Sequence, residues 1–292
     1  MTPGTSQDLH DAPAVASPHD DGAHDVHDRE IDFHDHWADS VPIADRLVRE
    51  SFEAPTAPEN RFIVQLINRT VGPLNGLRVL DIGCGLGESS VYFATQGADV
   101  TATDISPGMV RTTEQLAQAH GVSVRGVVSE AESLGIEDNS FDVVYIANLI
   151  HHVTDKDALW RQVSAALRPG GLFVSWDPLR YNPVINVYRR MATEVRTDDE
   201  FPLGFDDARR AAEHFSEVGH REFWIATLAL FAKYYAIDRV HPNADRYWKR
   251  ILKESPASLW WWRPLALADS VLTRLPLVRR LAWNMVMWGR KV

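Results

Sequence analysis

Cysteine is nearly absent: Cys84 is the only one in 292 residues. An internal disulfide is therefore excluded, and a chain of this size without one suits a reducing compartment, so a cytoplasmic location is expected. Long apolar runs are missing too. The longest, Phe223 to Ala232, is too short to cross a bilayer as a helix. The amino terminus is acidic and has no apolar segment of signal-peptide type, so no secretory signal is expected. Positive charge is also scarce. With a formal net charge of -10 and no basic patch on a basic background, a nucleic-acid binder is not indicated. Most of that charge is local, because residues 1–36 hold nine acids and one arginine.

What remains is a nearly neutral chain with 45% hydrophobic residues, enough to build one large α/β domain with additions. Residues 1–30 form an acidic, His-rich leader with little apolar content, which is expected to be disordered. Six of the twelve histidines lie before position 37, but their spacing is irregular and they have no framework, so no metal is expected. Residues 31–74 read as an N-terminal helical cover. Phe33, Trp37, Val41, Ile43, Leu47 and Val48 supply an amphipathic pattern interrupted near Pro42, and a second helix runs from Glu59 to about Val71.

The informative stretch is Val79 to Ser90, VLDIGCGLGESS. An apolar β-type run reaches Asp81, breaks into three alternating glycines and leads into a helix: the opening unit of a doubly wound α/β sheet. A dinucleotide fingerprint needs its third glycine one residue later. That place is Glu88, which would stand against a pyrophosphate. The pattern Asp81, Gly83, Gly85, Gly87 instead resembles motif I of class I S-adenosylmethionine (SAM)-dependent methyltransferases of the small-molecule type. SAM carries an ammonium and a sulfonium and no phosphate.

A regular strand–helix series follows. Strands are expected at Arg78–Ile82, Asp99–Thr103, Ser123–Val128, Phe141–Ala147 and Leu172–Trp176, with Arg168-Pro169-Gly170-Gly171 as the turn into the fifth. Asp104 ends the second strand 23 residues beyond Asp81, where an acid can take both ribose hydroxyls of an adenosine cofactor, with Ile105 beside the adenine. By the resemblance, Glu130 meets the adenine amino group and the Ala131 backbone a ring nitrogen, although the family usually has Asp at the position of Glu130. Asn148 faces the crevice at the end of strand four. His151 and His152 follow it, and the resemblance sets a histidine there beside the transferred methyl. His152 is the first candidate for a general base, with Asp177 and Tyr181 after it. Phe33, His34, Trp37, His151, Asn182 and Arg189 are the candidate substrate contacts. Arg180, Arg189, Arg190 and Arg196 could hold an anionic substrate group or pair with Glu194, Asp198, Asp199 and Glu200.

The family closes its sheet with two further strands, the last antiparallel. Arg221–Thr227 and the alternating Ala282–Trp288 fit them, making residues 75–292 one SAM-binding domain with an inserted segment at 228–280. The resemblance therefore implies a Rossmann-like sheet of seven strands, N-terminal helices and a helical, aromatic-rich insertion before the last strand. The insertion contains Trp260-Trp261-Trp262 and an amphipathic helix from about Leu265 to Leu275. It reads as a lid over an apolar pocket, as a peripheral membrane contact, or as a homo-oligomer interface or extra core. Residues 258–292 carry six bases against Asp269 alone. The implied activity is methyl transfer from SAM to a small hydrophobic or aromatic metabolite, with O- or C-methylation favoured because no (Asn/Asp)-Pro-Pro-(Tyr/Phe) signature is present. The alternatives are a SAM-binding protein catalysing another reaction, and a membrane-surface interaction protein.

Overall fold

The computed structural model describes residues 30–38, 40–192, 200–243 and 246–292. Most of the acidic leader, together with Glu194, Arg196, Asp198 and Asp199, lies outside the described residues.

Two strands at the heart of the chain, β1 (Arg78–Ile82) and β4 (Phe141–Ala147), are apolar on both faces, as parallel strands covered on both sides must be. Val79, Val143 and Tyr145 enter one core; Leu80, Val144 and Ile146, one residue out of phase, enter the other. The remaining strands are β2 (Asp99–Asp104), β3 (Arg125–Val128), β5 (Leu167–Pro178), β6 (Ser216–Phe223) and β7 (Asn284–Arg290). They form one seven-stranded sheet in the order β3-β2-β1-β4-β5-β7-β6. β7 runs antiparallel to both of its neighbours, so the sheet is the doubly wound, Rossmann-like arrangement with an antiparallel last strand.

In chain order the first helices are α1 (residues 30–38), α2 (Val48–Glu53), α3 (Pro58–Thr70), α4 (Glu88–Thr95) and α5 (Pro107–Ala119). They are followed by α6 (Lys156–Ala166), α7 (Pro183–Met191), α8 (Phe205–Ala211), α9 (Ala229–Ala236), α10 (Tyr247–Lys253) and α11 (Ser255–Leu272). Local signals set several starts. Ser106 accepts from Met109 N ahead of Pro107, and Asp155 accepts from Ala158 N, each satisfying an orphan donor of a first turn. Trp160 of α6 is fully buried, its ring 5.1 Å from that of Phe173 and 5.9 Å from that of Phe215. Truncating it to alanine would cost about 3–5 kcal/mol.

Beyond shifts of one or two residues, as at β2, β3 and β7, three boundaries differ from the sequence reading. β5 begins at Leu167, and residues 168–171 belong to it as an irregular stretch rather than a turn. Leu167 pairs with Phe141, the register to β4 shifts before Val143, and Gly170 and Gly171 exchange backbone bonds with Lys291. β6 lies five residues earlier than Arg221 and stops at Phe223. There Trp224 turns to φ +67 and Trp283 N reaches the carbonyls of Phe223 and Trp224. α11 passes through Pro264, ahead of the expected start at Leu265.

Candidate active site

Between β1 and β4 the strand order reverses, and the crevice over the strand ends at such a point is where doubly wound sheets bind ligands. A cavity of about 330 Å³ lies there. Its floor is the glycine turn with Asp81 and Asp104. Its far end is Asn148, His151 and His152, and its cover comes from α1, α7 and α10.

Asp81 is the penultimate residue of β1, its carboxylate buried, and the Ser90 hydroxyl donates to it at 2.5 Å. Burial pushes this carboxyl up to about 7; the Ser90 bond works against that shift and the nearby Asp104 charge adds to it. Asp104 accepts from Gly85 N at 2.9 Å and from Ser106 N at 3.0 Å, so it holds the glycine turn to the end of β2. Its carboxyl is raised by burial, against the opposing influence of His34 and those two backbone donors. Cys84 also lines the crevice, but burial raises its thiol well above the ordinary value, which leaves it unreactive.

Helix α1 brings Glu30, His34 and Trp37 to one face by their spacing of four and three. Glu30 bridges His34 Nε2 at 3.1 Å and His152 Nδ1 at 3.2 Å. Asp35 pins the same helix to the β2–α5 turn by accepting from Gly108 N at 2.8 Å and from the Ser106 hydroxyl. From the insertion, Arg246 lies over the Trp37 ring at 3.7 Å and Lys249 reaches Glu88 at 3.0 Å. Burial lowers the Lys249 ammonium, and the Glu88 carboxylate opposes that shift. Two segments distant in sequence thus meet above the crevice.

Most of the residues named from sequence are on this wall: Asp81, Gly83, Gly85, Asp104, Ile105, Glu130, Ala131 and Asn148, and at the other end Phe33, His34, Trp37, His151, His152 and Arg189. Four are not. Asp177 is fully buried on the opposite side of β5 from Trp176 and Pro178, which do line the cavity. It binds His151 Nδ1 at 2.7 Å, so it positions that ring and cannot touch an acceptor. Tyr181 stacks on Phe205 at 5.5 Å, drawn away by α8. Asn182 caps α7, accepting from Val184 N and Ile185 N, and its amide is spent on the Leu281 carbonyl. Gly87 sits behind the turn with φ +86, where a Cβ would stand 2.7 Å from the Thr113 hydroxyl. Of the expected anion-binding arginines, Arg180 pairs with Asp206, Arg190 is exposed and Arg196 lies outside the described residues. Arg189 does line the cavity, though its Nη1 is already turned to Asn186 Oδ1 at 3.3 Å.

Glu30, Glu88, Glu200, Arg246 and Lys249 line the site without having been marked for it, while Trp248 comes from the aromatic insertion that read as a lid. Only Glu88 carried a usable signal, its position after the glycines. The donor set fits SAM. Asp81, Asp104 and Glu130 converge on one crevice and favour a ligand bearing positive charge, whereas the same carboxylates would repel a pyrophosphate. Gly85, at φ +52, faces the crevice, and a Cβ there would project into open space that a ligand can fill.

Residues 80–175, the part that builds this crevice, match the family model of the methyltransferase domain. Over that stretch, about a third of its length, the chain is similar to methyltransferase domains. The ubiquinone biosynthesis O-methyltransferase of Xanthomonas euvesicatoria pv. vesicatoria is 41% identical over 104 residues, which is 35% of this chain and 44% of that protein. The chain thus spans less than half the length of such curated relatives. In fold, the methyltransferase domain and its additions are similar to the [4+2]-cyclase SpnF (TM-score 0.52, 20% identity, 82% of this chain and 83% of that one). They are also similar to a geranyl diphosphate methyltransferase (TM-score 0.52, 14% identity, 81% and 79%).

Proposed function

We propose that this protein transfers the methyl group of SAM to an oxygen of a small hydrophobic or aromatic acceptor. The observation that carries the reading is the polarity of one cavity. Carboxylates surround the glycine turn at one end, and a histidine pair stands at the other under Phe33, Trp37, Tyr188 and Trp248. The O-methyltransferase name of the similar bacterial proteins supports oxygen as the acceptor.

SAM supplies a methyl carbon already activated by its sulfonium, so the protein's task is to position and desolvate a nucleophile. Asp104 receives the ribose hydroxyls, Asp81 balances the ammonium, and Glu130, the Ala131 backbone and Ile105 hold the adenine. Gly85 lets the ligand lie against the backbone, and Gly83 makes room for the Leu149 side chain beside it. Asn148, held by its backbone bond to Trp176 O at 2.9 Å, borders the reacting end. His152, with Nδ1 held by Glu30, takes the proton of the acceptor hydroxyl, and Asp177 steadies the neighbouring His151. Phe33, His34, Trp37 and the α10 residues exclude water, which makes the first part of the 228–280 insertion a lid. Incubation with methyl-labelled SAM and a panel of lipophilic phenols and catechols should yield labelled ethers. Bound SAM with no label transferred to any acceptor would overturn the reading in favour of another reaction.

We also propose that the outer face of α11 rests on an anionic membrane surface from which such acceptors are drawn. No helix among the described residues is long and apolar enough to cross a membrane. On this helix Trp260, Arg263, Leu267 and Val271 share one face, and Trp260 and Leu267 are 65% and 69% exposed. Asp269, the one acid in the segment, is turned inward onto Thr227 Oγ1 at 2.6 Å and Ile225 N at 3.0 Å. Arg263, Arg274 and Arg280 stay exposed, so the apolar ridge has a basic border that complements anionic lipid.

A further inference from the structure

At the acceptor end of the cavity, His151, His152 and Glu200 present ligating atoms that all lie within 4.8 Å of one another. His151 Nε2 is 3.8 Å from Glu200 Oε2, and the two imidazole rings are 4.2 Å apart between centroids. Each ring is backed on Nδ1 by a carboxylate. Asp177 Oδ1 is 2.7 Å from the His151 nitrogen, and Glu30 Oε1 is 3.2 Å from that of His152. Such a carboxylate sets the ring hydrogen on Nδ1 and the lone pair on Nε2, the arrangement that orients metal-binding histidines. His151 and Asp177 are buried, so this half of the site is rigidly placed before any ion arrives.

We infer that His151, His152 and Glu200 bind one divalent first-row transition cation. Two imidazoles and a carboxylate suit Mn²⁺, Fe²⁺, Co²⁺ or Zn²⁺ better than Mg²⁺ or Ca²⁺, which prefer all-oxygen sets. Three protein ligands leave the remaining positions open toward the cavity, as in catalytic rather than structural sites. Metal–donor bonds of about 2.0–2.2 Å bring ligating atoms to roughly 3–3.5 Å of one another, so loading draws the donors together by about an ångström. The sequence reading expected no metal; this set is assembled by the loop after β4 and the chain at residue 200.

The binding itself is tested without SAM or acceptor. Chelator-treated, untagged full-length protein is titrated with Co²⁺, calorimetry giving the affinity and visible absorption reporting imidazole ligation. One site is expected whose affinity falls at least tenfold in His152→Ala and in Glu200→Gln, both with wild-type far-UV circular dichroism and melting temperature. His10, His19, His24 and His27 could also take Co²⁺. A cobalt signal unchanged in both cavity variants, or no cobalt binding at all, overturns the site. Neither outcome touches the labelled-methyl assay, so the two readings fail separately.

Discussion

Lys249 of α10 reaches Glu88, the first residue of α4, with Nζ 3.0 Å from Oε1. Both side chains are largely buried, at 17% and 18% exposure, so the pair ties the insertion to the helix that opens the glycine turn. Lys249→Met is expected to leave Glu88 poorly solvated, loosen the cover and raise the KM for SAM about 3- to 30-fold. A double-mutant cycle with Glu88→Gln should give a coupling of about 1–2 kcal/mol in cofactor affinity. Additive effects would show that the pair does not hold the lid.

Asp104 makes two backbone bonds as well as facing the crevice, so alanine would disturb the turn along with the ligand. Asp104→Asn keeps an acceptor and removes the charge. Cofactor affinity by calorimetry should fall about 10- to 100-fold, the range for losing charge-assisted hydrogen bonds. Unchanged affinity would remove Asp104 from the cofactor site.

Asp81, raised to about 7, must be ionised to face an ammonium group. Below pH 7 its proton has to leave on binding, so SAM affinity should weaken by up to about tenfold per pH unit. Calorimetry at pH 6 in buffers of different ionisation enthalpy should detect proton release. Uptake of a proton, or none exchanged, would contradict this role.

Glu59 of α3 accepts from the buried Trp224 indole at 2.7 Å, and burial raises its carboxyl from 4.5 to about 7. Here the folded state favours the protonated form. Its contribution is full below the unfolded pKa and is lost as pH rises toward 7, opposite in sign to a salt-bridged carboxylate. Glu59→Gln should be near neutral at pH 4 and stabilise the protein by about 2–3 kcal/mol at pH 8. The melting temperatures of the two proteins would then diverge as pH rises. Parallel curves would mean that Glu59 stays ionised in the fold.

The ridge on α11 makes a prediction about surfaces. Sedimentation with vesicles rich in phosphatidylglycerol should carry the protein down, weakly with phosphatidylcholine alone, and replacement of Trp260 and Trp261 by serine should abolish it. Loss of a dimer in that variant, without any change in vesicle binding, would assign the ridge to self-association.

β1 and β4 were legible to the residue because each is a short apolar run bounded by turn residues. The start of β5 was not, since residues 168–171 are held in the strand by Lys291, far along the chain. The same contrast runs through the site. Asp177 lies between two cavity residues, and alternation along a strand says that neighbours point apart without saying which of them faces the ligand. Asn182 and Tyr181 were placed in the right segment, but local capping and α8 took their side chains elsewhere.

By itself the sequence determined the strand–glycine-turn–helix unit, the alternation of strands and helices, and the carboxylates at two strand ends. Each of these follows from residues within a few positions of one another. Only the tertiary structure decided what surrounds the histidine end of the cavity. Glu30 meets His152 across 122 residues, and Lys249 meets Glu88 across 161. Contacts of that separation depend on how whole helices pack over the sheet, and no local pattern of charge or hydrophobicity records them.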